Sequence, residues 1–86
     1  MKITKQTVAG KLTDYLHQEI NLAKLVDWAE NAMMDGDFDA GDAPMLADVV
    51  ARLGLADVRS FGLSWEDCAE ILDELGYAAH VDVVAA

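Results

Sequence analysis

Apolar residues recur at helical spacing in four separate stretches of this chain, and each stretch is bracketed by residues suited to start or stop a helix. Val8, Leu12, Tyr15 and Leu16 fall at i, i+4, i+7 and i+8, which predicts a helix over about 5–18 with the Thr4 hydroxyl as its N-cap. Gly10 inside it weakens the helix by roughly 1 kcal/mol relative to Ala and is read as a tolerated residue, not as a point of backbone approach. Asn21 caps a second helix over about 22–35, with Ile20 and Leu25 placed as a hydrophobic staple and Leu22, Leu25, Val26, Ala29, Ala32 and Met33 as the inward stripe. Gly36 is expected to stop it in the left-handed conformation. Trp28 lies at the edge of the stripe, where a Trp is either half buried on its own core or an anchor for a partner.

A third helix is expected over about 43–53, opened by Asp42 as cap and by Pro44, which a helix admits only in its first turn. Leu46, Val49, Val50 and Leu53 form its buried face, Gly54 its stop, and Leu55 is placed to fold back on Val50 in a Schellman motif. The fourth helix, about 65–75, has the clearest boundaries. Ser64 and Asp67 make a short-armed capping box, Leu63 is placed to staple Cys68, and Gly76 terminates with Tyr77 folding back on Leu72. Its apolar face is read as Trp65, Cys68, Ala69, Leu72 and Leu75. The link 56–62 is short enough for one helical turn or an extended crossing. Beyond Tyr77 the period changes from 3.6 to 2: Ala79, Val81 and Val83 alternate with His80, Asp82 and Val84, predicting a short strand over about 79–84. Such a strand needs an edge to pair with, and Lys2–Thr4, Asp57–Phe61 or the same strand of a second copy, giving a homodimer, are the candidates. The fold expected is a mainly α, single-domain bundle of four helices over residues 1–86 with a short C-terminal β-strand.

Charge changes this picture more than composition does. Sixteen acidic residues against six basic ones give a net charge of -10, yet 53% of residues are apolar, so the chain has the means to fold and is not a solvating acidic tail. The acids are segregated: residues 25–51 carry seven carboxylates and no Lys or Arg, and residues 60–86 carry six more, again without a cation. Such a chain repels phosphate backbones, which argues against direct binding to nucleic acid, and attracts basic protein surfaces. The single Cys68 leaves no internal disulfide, and the start Met1-Lys2-Ile3-Thr4 is followed by no apolar signal segment, so a cytoplasmic, bacterial-type protein with no membrane contact is expected.

The candidate chemistry is sparse. Asp35, Asp37 and Asp39 occupy positions 1, 3 and 5 of a calcium-loop spacing, but Ala40 stands where that loop needs glycine and Leu46 where it needs a bidentate Glu. Asp14 with His17, and Glu66 with Glu70, share helical faces without completing a ligand set. Cys68 falls on a predicted buried face, away from any sequence neighbour able to activate it. No phosphate loop, nucleophile elbow or zincin motif is present. The expectation is therefore a non-enzymatic acidic interaction module with no cofactor, no metal and no catalytic residue, of inhibitor, immunity or antitoxin type. Its partner is a protein with a basic surface, and its contact residues are Asp35, Asp37, Phe38, Asp39, Asp42 and Trp28. A structural homo-oligomerisation domain and a metal-binding protein using the acidic loop are the alternatives.

Overall fold

A computed structural model of the chain describes residues 2–58 and 63–77, and within them four helices pack around one apolar core. The order is β1 (Lys2–Ile3), α1 (Lys5–Leu16), α2 (Leu22–Asp35), β2 (Asp37–Phe38), α3 (Ala43–Gly54) and α4 (Trp65–Glu74). The small helical bundle read from the apolar pattern is the fold observed. The strand expected over 79–84 lies outside the described residues.

Each helix starts where its cap was read. The Thr4 hydroxyl accepts from the Thr7 amide at 3.1 Å, the Asn21 side chain from Lys24 at 2.9 Å, and Ser64 from Asp67 at 3.1 Å, so each occupies one of the amides a helix leaves unpaired at its start. The Asp67 carboxylate returns a bond to the Ser64 amide at 3.0 Å, completing the capping box. Asp42 is the exception. It precedes α3, with Pro44 in the first turn, but its side chain makes no cap bond and instead faces Lys5 Nζ at 3.6 Å.

The core consists of the expected stripes with a few exchanges. Val8 and Leu12 of α1, Leu25, Ala29 and Ala32 of α2, Leu46, Val49, Val50 and Leu53 of α3, and Cys68, Ile71, Leu72 and Leu75 of α4 are buried together with Ile3. The most extensive helix contact is α2 against α3, where small side chains let the backbones draw close: a Cβ placed on Gly54 would lie 3.9 Å from that of Ala29. Met33 does not join the stripe and is 47% exposed, at the surface between α2 and α3. Trp65, expected inside, is 41% exposed. It stands in the first turn of α4, where side chains lean toward the N-terminus and so off the end of the core, and Ile71 fills the buried face instead.

Two helix stops differ from expectation. Gly36 is not left-handed: its φ of -73° and ψ of 143° are extended, and the chain runs straight from α2 into β2. Glycine is needed there for space, since a Cβ would collide with the Ala32 carbonyl oxygen and come within 2.9 Å of Ile3 Cγ1. Gly54 makes no Schellman turn either. The chain tightens through Leu55 N–H donating to Arg52 O at 3.2 Å and Ala56 N–H to Leu53 O at 3.1 Å. In such three-residue turns positions i and i+3 eclipse, so Ala56 follows Leu53 into the core and Leu55 is left 43% exposed. The Schellman motif read at α4 is present, with Gly76 at φ 90°, Tyr77 N–H bonded to Leu72 O at 2.9 Å and Gly76 N–H to Asp73 O at 3.0 Å.

The acidic segment after α2 is tied down by an element that the apolar pattern does not announce. Asp37–Phe38 pairs in parallel with Lys2–Ile3, in the register Lys2 to Asp37 and Ile3 to Phe38, and Asp39 N–H extends the ladder to Ile3 O at 2.9 Å. Parallel neighbours require a long crossover, and α1 with α2 supplies it.

Candidate functional site

The segment from Asp35 to Asp42 joins α2 to α3 and is paired with β1 through Asp37–Phe38. Asp35 ends α2 and is exposed; Asp37 is exposed beside Lys2 in the ladder. Phe38 turns inward and packs against the core from a half-buried position, which fixes the loop between its carboxylates. Asp39 and Asp42 are half buried, with Asp42 N–H donating to Asp39 O at 3.0 Å. Trp28 also packs half buried against the core, two turns before Asp35 and so about 10 Å away along α2 at 1.5 Å per residue. The four carboxylates and Phe38 are thus gathered in one element junction, and Trp28 stands apart from them on the helix leading to it.

Among the described residues no group of three or more His, Cys, Asp or Glu side chains is gathered around a point where one ion would be held. Asp14 with His17 and Glu66 with Glu70 join no such group among the described residues. Cys68 is buried, and burial, together with the neighbouring Asp67 carboxylate, raises its thiol above the ordinary value, the opposite of what a nucleophilic cysteine requires.

The distribution of charge is the pronounced chemical feature. No charged or polar residue is found among the buried ones, so every described ionic group lies toward the surface. Ion pairs among the described residues engage three carboxylates: Asp42 with Lys5, and Asp67 and Glu70 with Arg52 at 2.7 and 3.7 Å. Arg52 joins α3 to α4 and was not apparent as a tie from the sequence, because the two helices are separated by a link whose path no local signal fixes. The Asp67 carboxyl is held below its ordinary value by its hydrogen bonds to the Ser64 amide and hydroxyl, with Arg52 adding to the effect.

Several other acids stand where their own backbone disfavours them. Asp14, Asp35, and the pair Asp73 and Glu74 lie in the last turns of α1, α2 and α4, at the negative end of each helix dipole, and none of these turns contains a basic residue. Along α4, Glu66, Glu70 and Glu74 repeat every four residues on an exposed face, a spacing at which like charges repel. Glu66 suits the positive start of α4 and Glu70 pairs with Arg52, but local folding does not explain Asp14, Asp35, Asp73 and Glu74, since Lys or Gln would serve those helix ends better.

A second surface feature lies between α2 and α3. Met33, Met34 and Leu55, with Glu30, Ala51 and Gly54, line an open and largely apolar groove of about 490 Å³. Leu55 is expected as a buried cap contact and Met33 as core; the one sequence signal of the groove is the tandem Met33–Met34, since the apolar stripe of α2 takes in Met33 and leaves Met34 beside it outside.

No protein-family model matches the chain, and neither a curated protein nor a solved structure matches it. Among the described residues no helix is long and apolar enough to cross a membrane.

Proposed function

We propose that this chain is a non-enzymatic acidic module, cytoplasmic and of bacterial type, that covers a basic surface on another protein in the manner of an inhibitor, immunity protein or antitoxin. The observation that carries this reading is the set of carboxylates that the chain's own folding does not use. A net charge of -10 is placed on the surface, largely without ion pairs among the described residues and partly against the helix dipoles. Charge that works against the fold and is not neutralised within it is suited to a partner that brings the cations. The junction of Asp35, Asp37, Asp39 and Asp42 is the preferred contact, since the ladder with β1 and the inward Phe38 hold its backbone in advance of binding and so lower the ordering that association requires. Trp28 contributes at its margin.

Affinity capture from the native host at low salt, with the immobilised full chain as bait, tests this reading. A basic protein should be retained and released as ionic strength rises past the physiological range, where the screening length falls to about 8 Å or less. Replacing Asp35, Asp37 and Asp39 together by Asn should slow association on the order of tenfold. Retention that salt does not weaken, or an acidic partner, would overturn the reading.

A further inference from the structure

The groove between α2 and α3 combines an apolar floor with acidic surroundings, and the combination restricts what can occupy it. Met34 is 76% exposed and Met33 47%, both at the end of α2, and Leu55 faces them from the end of α3 at 43%. Ala51 and Gly54 contribute almost no side chain, so the groove is open at its centre and walled by flexible thioethers, which adapt to the shape of an apolar insert. Glu30 is the charged group in its lining, and among the described residues no Lys or Arg lines it. Exposed acids continue on both sides of it along the chain, Asp27 one turn earlier on α2 and Asp35 directly after Met34.

A second copy of this chain is a poor occupant, because it would bring Glu30 and a further net charge of -10 against the same acids. A polyanion is excluded by the same repulsion. What fits both the apolar centre and the acidic border is an amphipathic helix whose Leu, Ile or Phe side chains enter the groove while flanking Lys and Arg meet the carboxylates, the helix-in-groove mode of recognition. We propose that the Met33–Met34–Leu55 groove is a docking site for a basic amphipathic helix of the protein partner. This rests on the reading of the chain as a binder of basic protein surfaces and adds a second, apolar determinant to it.

Two fluorescently labelled peptides of about 18 residues, long enough to form helix on binding, test it: one with Leu at helical spacing among Lys, the other with the same residues permuted so that no apolar face forms. Burial of even one or two large apolar side chains predicts that the patterned peptide binds about tenfold tighter by anisotropy at physiological salt, and that Met34→Ser combined with Leu55→Ser removes this advantage. Both side chains are exposed, so the variant is expected to keep its far-ultraviolet dichroism. In the wild-type chain, the methyl resonances of Met33 and Met34 should shift with the patterned peptide and not with the permuted one. Equal, salt-sensitive binding of both peptides would overturn the groove and leave the charge-based reading standing, whereas binding of neither at any salt would remove both. A concentration-dependent dimer that the double substitution dissociates would assign the groove to a second copy and overturn the proposal.

Discussion

Helix α4 and the α2–β2–α3 region are specified in different ways. Helix α4 is defined at both ends by its own residues: a capping box of Ser64 and Asp67 starts it, and a Schellman motif on Gly76 stops it. The α2–β2–α3 region is defined by what it packs against. Gly36 and Gly54 look like ordinary stops in sequence, and neither is left-handed; the first is crowded by the Ala32 carbonyl and also by Ile3, more than thirty residues earlier, and the second lies on the close seam with Ala29. Local signals fix a helix end when the required hydrogen bonds lie within six residues. They fail when a contact distant in sequence decides the backbone path.

The largest effect is expected in the seam. Leu53 is fully buried where α3 meets the shared core, so Leu53→Ala should remove about 2–5 kcal/mol through lost transfer energy and an incompletely filled cavity. A domain of this size has a total stability of about 4–13 kcal/mol at the usual values per residue, so urea unfolding should show a much lowered midpoint and a population of unfolded chains at 37 °C. A loss under 1 kcal/mol would mean that the seam is not the main source of stability.

Gly36 separates the two kinds of specification directly. As a point of close approach, Gly36→Ala must push the new Cβ away from the Ala32 carbonyl and from Ile3, at a cost of about 1–3 kcal/mol, and Gly36→Asn should be no better. Were the position a left-handed stop, Asn would be the tolerated replacement. Hydrogen exchange reads the local consequence: the Asp39 amide, bonded to Ile3 O, should lose protection in both variants.

What was legible in the sequence follows the same division. The starts of α1, α2 and α4, the buried faces of α3 and most of α2, and the Gly76 stop were all readable, because caps and stripes are local and periodic. The ladder between Lys2–Ile3 and Asp37–Phe38 was not, since two-residue strands have no period to detect and the pairing joins segments separated by two helices. For the candidate site, the acidic composition of 35–42 is plain in the sequence, whereas the inward packing of Phe38 depends on the ladder with β1. The Met33–Met34–Leu55 groove stayed hidden because Met33 and Leu55, taken singly, look like core.

The α4 cap gives the next effect. Ser64→Ala should cost about 1 kcal/mol, the usual loss when a capping hydroxyl is removed, and should fray α4 while the α2–α3 amides keep their protection from exchange. Its partner Asp67 makes the contribution pH-dependent. The folded carboxyl titrates below the ordinary value of 3.8, so its stabilising effect is complete above that value and is lost as pH falls through the lower, folded one. The difference in unfolding midpoint between wild type and Asp67→Asn should therefore be constant from neutral pH down to about 5 and should close below 3.8, as the wild-type carboxyl becomes protonated. A difference that persists unchanged at the lowest pH would show that shape, not charge, makes this cap.

The smallest effect tests the rule on a helix end that the sequence did not mark. Helix α1 closes with the same Schellman bonds as α4, Glu19 N–H to Asp14 O at 2.8 Å and Gln18 N–H to Tyr15 O at 3.0 Å, but the left-handed position, at φ 63°, is held by Gln18 and not by glycine. The turn is imposed from downstream, where Ile20 must reach the core and Asn21 must cap α2 within a few residues. A side chain in that conformation costs about 1–2 kcal/mol, and the extra freedom of glycine in the unfolded chain offsets about 0.5–1 of it, so Gln18→Gly should stabilise the protein by about 0.5 kcal/mol. The gain should appear as a higher urea midpoint at unchanged slope, because the folded contacts are the same and only the backbone preference has moved. If Gln18→Gly instead destabilises, the glutamine side chain makes a contact of its own, and α1, like α2, ends where packing and not the local sequence requires.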